Sequence, residues 1–171
     1  MNVHGNTAGS PGSAVTIRAL SPDDIDLVVE LSVRAWQPVF DSFRELLGPR
    51  LFERFYPDWR ADQATSVGDA IGANTTSVAV ADGAVAGFVN VIINTDEASG
   101  EIYMIAVDPD HQQRGIASAL TSWALDEMRR NGVTLATVGT GGDPGHAPAR
   151  RTYEAAGFTP WPHVTYVKLL D

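Results

Sequence analysis

The segment QQRGIA, residues 112–117, has the composition of an anion-binding helix start. It follows the apolar stretch EIYMIAV (101–107) and a turn containing Pro109, and helical periodicity begins with it. The first amides of a helix lack intrahelical partners and lie at the positive end of the helix dipole, so they bind anions such as phosphate. Gly115 has no side chain, which lets a ligand approach the backbone closely. A plain helix start that tolerates a glycine is the alternative, because short glycine motifs are weakly specific.

A carboxylate lies at the start of the strand that leads into this segment. Glu101 begins a strand whose other residues are apolar. An ammonium group must lose a proton before it can attack an electrophile, and a positioned carboxylate can accept that proton. Strict alternation would place Glu101, Tyr103, Ile105 and Val107 on one face, with Glu101 about 13 Å from Ile105. A proton relay through water is then expected, and a solvated strand-end carboxylate is the alternative.

The elements that must position these residues change from helical to strand periodicity near residue 75. A strand at 15–20 precedes a helix that Ser21 caps and that ends or kinks at Pro38. Residues 39–56 are expected to form two short helices separated at Gly48-Pro49, and residues 59–73 a further helix.

The second half is predicted to be rich in strands. A β-hairpin at 77–81 and 85–93 is joined by Asp82-Gly83, and the strand 101–107 follows it. The remaining predicted elements are a helix to about residue 130, a strand at 133–138, a short helix at 148–156 and a last strand at 163–169.

Composition narrows the function classes. The 171 residues suit one domain, expected at 14–171 behind a disordered Gly/Ser-rich tail at 1–13. The net charge of −9 argues against nucleic-acid and membrane partners, which select basic patches. No cysteine is present, which excludes a thiolate nucleophile, and the four histidines have no metal-binding spacing, so no metal is expected. Without an apolar run of about 20 residues or a signal peptide, the predicted compartment is the cytoplasm.

Two motifs resemble one family. VDPDHQQRGIA resembles the acyl-CoA-binding motif of the GNAT superfamily of N-acetyltransferases, Gln/Arg-x-x-Gly-x-Gly/Ala, through Gln112, Gly115 and Ala117. ARRTYEAAGF (149–158) resembles the family's later helix with its tyrosine and Gly-Phe. The likeness is close over 101–158 and looser over 15–100. It implies an α/β fold with a mixed, mostly antiparallel sheet of six to seven strands flanked by helices.

The resemblance also implies where acetyl-CoA binds. The backbone amides of Gln113, Arg114, Gly115, Ile116 and Ala117 are expected to hold the pyrophosphate. The segment Ile105, Ala106 and Val107 is expected to pair with the pantetheine arm through the main chain of Ile105 and Val107. That pairing would lie in a split between the strands 101–107 and 133–138 and would add an extended ligand to an open sheet edge.

Catalytic and substrate residues are implied in the same way. Glu101 takes the place of the family's general base, and Tyr153 that of its general acid. The family often has Asn three residues before the helix Ala, here Ala149; this chain has His146 there, which is interpreted as a CoA ligand or a group near the thioester, a loop turn being the alternative. Arg150 or Arg151 is expected to neutralise CoA phosphates. Trp36 is predicted to line the acceptor pocket, while most neighbouring aromatic residues pack in the core.

The predicted function is acetyl transfer from acetyl-CoA to a primary amine of a small molecule, by direct attack in a ternary complex. The backbone amide of Val107 is expected to polarise the thioester. A protein or peptide N-acetyltransferase and a non-catalytic acyl-CoA-binding module are the alternatives. The identity of the amine and the existence of a homodimer stay open.

Overall fold

The computed structural model describes residues 15–170. The predicted tail at residues 1–13 lies outside them. Two helices follow the first strand, a third helix precedes the last strand, and a fourth follows it. The strands are β1 (Thr16–Ala19), β2 (Thr75–Ala81), β3 (Ala84–Asn94), β4 (Ser99–Val107) and β5 (Leu135–Val138). The helices are α1 (Ile25–Phe55), α2 (Trp59–Ala73), α3 (Ile116–Arg130) and α4 (Ala147–Ala155), with single 3₁₀ turns at Pro22–Asp24, Pro109–His111 and Pro144–His146. No helix within this range is long and apolar enough to cross a bilayer.

The five strands form one mixed sheet in the order β1-β2-β3-β4-β5. The first three pairings are antiparallel, and β5 joins β4 in parallel after the crossover through α3. The prediction of six to seven strands was wrong for the described chain. Residues 163–169 alternate as a strand would, but the described structure gives them no pairing partner, and Tyr166 is 92% exposed. Alternation alone does not form a strand without a neighbouring edge to bond to.

Helix α1 does not end at Pro38, where an end or a kink was predicted, and it breaks at Gly48 as predicted. Pro38 lies inside the helix without ending it. The neighbouring turns stay anchored by packing, since Val39 and Phe40 are buried. The break expected at Gly48-Pro49 is present, because Gly48 has φ 72° and ψ 164°, outside the helical region. Helix α1 is therefore two helices joined at Gly48, and the first runs from residue 25 through Pro38.

Both faces of the sheet are covered by helices. Helix α3 packs on one face, where it buries Val89, Val91 and Ile102 against Ile116, Leu120 and Met128. Helices α1 and α2 pack on the other, where Phe88 and Ala106 meet Val28, Leu31 and Val67. Each long strand is thus buried on both sides, which fixes the position of β4 within the molecule.

A β-bulge at Tyr103 reverses the alternation of β4. Met104 lies opposite Asn90 while Ile102 lies opposite Val91, so Tyr103 has no partner in β3. Residues directly opposite each other in an antiparallel pair share a face. The prediction that Glu101, Ile105 and Val107 share a face was therefore wrong. Glu101 lies opposite Ile92 and shares the α1–α2 face with Met104 and Ala106, whereas Ile105 and Val107 lie on the α3 face.

Candidate active site

The site begins where β4 and β5 separate. The two strands pair only from Ser99–Leu135 to Ile102–Val138. Beyond these pairs, β4 continues to Val107 while the chain after Val138 turns away into the loop 139–146. The predicted split between the strands is therefore present, and it leaves one edge of β4 without a strand partner from Tyr103 onward.

The backbone of Val107 faces this open edge. The amide of Asp108 donates to the carbonyl of Ala86 at 2.9 Å, so Asp108 points toward β3. Successive residues of a strand point their amide and carbonyl groups to opposite sides, which turns those of Val107 and Ile105 to the split and those of Ala106 to β3. The Val107 carbonyl accepts a hydrogen bond of 3.3 Å from the Gln112 side chain, in agreement with that direction. Of the three residues predicted to contact an extended ligand, Ile105 and Val107 offer main-chain groups and Ala106 offers its side chain.

The start of α3 forms the second wall. Gln113 and Gly115 both have positive φ, 60° and 78°, which turns the chain sharply just before the helix. The carbonyl of Gly115 accepts the amide of Ala119 at 3.0 Å, so the amides at the helix start have no partner within the helix. A Cβ on Gly115 would meet no atom within 4 Å, which means that open space lies beside it. This geometry fits an anionic group such as a pyrophosphate.

The side chains of two arginines of the predicted site, Arg114 and Arg150, have protein partners. Arg114 forms an ion pair of 2.8 Å with Asp82 in the β2–β3 turn. Arg150 donates to the carbonyls of Gly141 and Asp143 at 2.5 and 2.9 Å. Arg150 thus holds the loop 139–146 against α4.

Tyr153 lies on the cleft wall because of the way α4 ends. The amides of Phe158 and Gly157 donate to the carbonyls of Tyr153 and Glu154, both at 3.0 Å, and Gly157 has φ 91°. These features define a Schellman C-cap, whose usual hydrophobic contact here joins Tyr153 and Phe158 with ring centroids 6.1 Å apart. Burial raises the pKa of Tyr153 to about 12, so its hydroxyl is protonated at neutral pH. The Tyr-x-x-x-Gly-Phe spacing therefore forms a helix C-cap, and this cap fixes the position of the protonated Tyr153 side chain.

A cleft of about 450 Å³ joins these parts. It brings together eight of the predicted site residues, namely Trp36, Ile105, Ala106, Val107, Gln112, Ala117, His146 and Tyr153. Gln113, Arg114, Gly115 and Ile116 belong to the turn and helix start beside it, Arg150 lies behind the loop, and Glu101 lies in the part of β4 that β5 still covers. A separate groove of about 400 Å³ between α1 and the β2–β3 turn is lined by the ion pairs Arg18–Asp24 and Arg34–Asp108.

Sequence reasoning missed one residue that lines this cleft and two that hold the loop 139–146 beside it. Gln63 of α2 lines it, and its side-chain nitrogen is buried with no partner among the described residues. Asp143 bonds His146 and is almost fully buried, and Ser42 of α1 accepts the amide of Gly145 at 3.2 Å. The Asp-x-x-His spacing could have indicated the Asp143–His146 pair, because residues at this spacing lie one 3₁₀ turn apart. Gln63 and Ser42 carry no local signal.

Comparison with known proteins identifies the family. The sequence profile of the acetyltransferase (GNAT) family matches residues 36–158. The chain belongs to the GNAT acetyltransferase family. Among solved structures, this GNAT domain is similar to a putative GNAT acetyltransferase from Desulfovibrio desulfuricans, with a TM-score of 0.65, 25% identity and 87% of each chain covered. It shares its fold with the PaiA N-acetyltransferase from Thermoplasma acidophilum in complex with coenzyme A, with a TM-score of 0.64, 17% identity and coverage of 85% and 90%.

Relatives in sequence are mycothiol acetyltransferases. That of Sanguibacter keddieii is 34% identical over 139 residues, which are 75% of this chain and 44% of the relative. That of Beutenbergia cavernae is 48% identical over 65 residues, which are 38% of this chain and 21% of the relative. The GNAT domain described here spans less than half the length of these relatives.

Proposed function

We propose that this protein transfers an acetyl group from acetyl-CoA to a primary amine of a small molecule, by direct attack in a ternary complex. The observation that carries the proposal is the cleft between β4 and β5, with an open strand edge on one side and an anion-binding helix start on the other. Membership of the GNAT family and the coenzyme A complex of a fold neighbour support acetyl-CoA as the co-substrate.

Three parts of acetyl-CoA have different partners in the protein, namely the pyrophosphate, the pantetheine arm and the thioester. The amides at Gln113–Ala117 face the place of the pyrophosphate, with Gln112 fixed on the Val107 carbonyl beside them. The main chain of Ile105 and Val107 pairs with the pantetheine amides as an added strand. The amide of Val107 then lies where it can donate to the thioester carbonyl oxygen as negative charge develops there.

The acceptor enters from the α1–α2 side. Trp36 of α1 and Gln63 of α2 line that part of the cleft with Met104. The unpartnered Gln63 nitrogen offers a hydrogen bond to an oxygen of the substrate, and leaving such a donor unsatisfied costs about 1–3 kcal/mol. The size of the cleft is within the range of small-molecule sites, about 300–1,000 Å³. An amine that also carries a hydrogen-bond-accepting group fits this wall.

The test is CoA release from acetyl-CoA with a panel of primary amines. The panel holds putrescine, tyramine, glucosamine, an amino acid, the acceptor of mycothiol acetyltransferases and a lysine peptide. Turnover with a small amine is the expected result. Turnover with the peptide alone would assign a protein or peptide acetyltransferase, and tight acetyl-CoA binding without turnover by any acceptor would favour a non-catalytic acyl-CoA-binding module.

A further inference from the structure

An acid–histidine pair lies in the loop between β5 and α4. Nδ1 of His146 is 2.5 Å from Oδ1 of Asp143, and the backbone amide of His146 donates to the Asp143 carbonyl at 3.2 Å. The 3₁₀ turn Pro144–His146 holds both contacts, because residues three apart in such a turn lie one above the other. The pair is thus set by the local backbone.

The carboxylate of this pair is buried and ionised. Only 2% of the Asp143 side chain is exposed. Burial alone would raise its pKa, but the hydrogen bond from Nδ1 of His146, with a smaller effect of the nearby Ser42 hydroxyl, holds the pKa below its usual value. An ionised carboxylate on Nδ1 fixes the imidazole tautomer with its proton on Nδ1 and the lone pair on Nε2.

Residues of α1 and α4 hold the ring and its loop in place. From α1, Phe43 packs on it at 5.7 Å between ring centroids, and Ser42 faces Asp143. From α4, the charged side chain of Arg150 donates a hydrogen bond to the Asp143 carbonyl. A Cβ on Gly145 would lie 2.8 Å from Cα of Val39, so the loop is seated directly on the α1 backbone.

Nε2 is the ring nitrogen of His146 that the contact with Asp143 leaves free. His146 lines the cleft together with Trp36 and Tyr153. In the part of the chain that the structure describes, Nε2 has no hydrogen-bond partner, and it is not among the buried polar atoms that lack one. His146 therefore brings to the cleft a ring nitrogen whose lone pair is fixed by the contact of the ring with Asp143.

Glu101 is placed less favourably for the same task. It lies opposite Thr137 in the paired part of β4 and β5, before the split, and it does not line the cleft. The bulge at Tyr103 puts Glu101 on the same sheet face as Met104 of the acceptor wall. Because Glu101 lies outside the cleft lining, a proton on an amine at the thioester would need a relay to reach it.

We propose that the Asp143–His146 pair takes the proton from the acceptor ammonium, an inference that rests on the proposed acetyl transfer. The N–H bond of the ammonium breaks and an Nε2–H bond forms. The freed nitrogen lone pair attacks the thioester carbon, and the C–S bond then breaks with its electron pair on sulfur. The second proton lost by the nitrogen balances the one that sulfur takes up, and the proton on Nε2 passes to solvent.

The test compares His146→Ala and Asp143→Asn with wild type, using CoA release with the panel amine that wild type turns over best. General-base catalysis contributes about 10²–10⁴-fold, so kcat/KM of His146→Ala at pH 7 should fall by about that factor. The loss should shrink as the pH rises toward the pKa of the amine, and added imidazole should restore part of it. Asp143→Asn should show a smaller loss in the same direction, because the ring remains but its tautomer is no longer fixed.

Two control variants and one binding measurement distinguish a base at His146 from a base at Glu101 and from a role of His146 as a CoA ligand. His163→Ala removes an exposed histidine and should leave kcat/KM unchanged. Glu101→Gln should retain the wild-type pH profile; if instead it abolishes the neutral-pH activity while His146→Ala does not, the base is Glu101. Weaker acetyl-CoA binding by His146→Ala, measured by calorimetry, with an unchanged pH profile would make His146 a CoA ligand. No turnover by wild type with any amine would instead refute the proposed acetyl transfer.

Discussion

Removal of the Tyr153 hydroxyl isolates the role of this group at the leaving sulfur. Tyr153 is 7% exposed, and its ring packs on Phe158. No residue within 15–170 hydrogen-bonds its hydroxyl, which is also absent from the buried polar atoms without a partner. Tyr153→Phe therefore keeps the ring contacts and deletes only a group that faces the cleft. We expect the free energy of unfolding to change by less than about 1 kcal/mol, since no intramolecular hydrogen bond is lost.

The expected effect on catalysis follows from two pKa values. That of Tyr153 is raised to about 12 by burial. A thiol of the cysteine type has a pKa of about 8.5, so complete proton transfer to a CoA thiolate would be uphill by roughly 3.5 pKa units, or about 5 kcal/mol. The phenol therefore stabilises the developing thiolate mainly by donating a hydrogen bond. A hydrogen bond to a charged group contributes about 1.5–3 kcal/mol, so kcat of Tyr153→Phe should fall about 10–150-fold.

The assay is steady-state CoA release at saturating acetyl-CoA, with calorimetry for acetyl-CoA affinity. The Kd should stay within about twofold of wild type, because the hydroxyl acts on the leaving group and not on the bound co-substrate. An unchanged kcat would refute the role, and so would a Kd that weakens in step with kcat. Since the phenol stays protonated well above pH 10, a wild-type kcat that falls with an apparent pKa near 9, absent from Tyr153→Phe, would also contradict the reasoning.

Three further predictions concern the helix start, the acceptor wall and the fold. Gly115→Asp should weaken acetyl-CoA binding about 10–100-fold by calorimetry relative to Gly115→Ala, because both variants share the strain of φ 78° and only one adds a negative charge at the pyrophosphate. Gln63→Met should raise the KM of the amine and leave that of acetyl-CoA unchanged; equal effects on both would show that Gln63 only packs. Asp24 accepts hydrogen bonds from Arg18 and Ser21, and its pKa is strongly lowered, chiefly by Arg18. Asp24→Asn should therefore cost about 1–3 kcal/mol of stability at pH 7. The difference from wild type in urea unfolding should narrow as the pH falls below about 4, because the carboxylate of the unfolded chain then takes up a proton while that of the folded state stays ionised.

Local pattern predicted the parts of the fold that depend on neighbouring residues. The Asp82-Gly83 turn determined the β2–β3 hairpin, and both residues have positive φ in the structure. The predicted separation of β4 from β5, and with it the cleft, was confirmed. These features follow from chain order and turn chemistry, which the sequence displays directly.

Other features depend on contacts between distant segments. EIYMIAV is apolar at nearly every position, so its alternation carries no mark of the bulge at Tyr103. Pro38 remains within α1 because the buried residues after it anchor the next turn, which the proline rule alone does not express. The Asp143–His146 pair needs the packing of Gly145 on α1 before it faces the cleft. Tertiary packing decided each of these, and the residues involved are up to about 100 positions apart in sequence.

Because of the bulge at Tyr103, the numbers of residues in β3 and β4 relative to each other decide which side chains line the cleft. The strand consists of two segments that are out of phase by one residue, Ser99–Ile102 and Met104–Val107. Deletion of Tyr103 would restore a regular ladder in which both segments keep their present partners and faces. Insertion of one residue between Asn90 and Val91 of β3 would instead give Tyr103 a partner, and one segment of β4 would then have to exchange faces. Either Glu101 would turn toward α3, or Met104 and Ala106 would leave the acceptor wall. An insertion of a single residue could thus reassign the walls of the site without replacing any side chain that lines it.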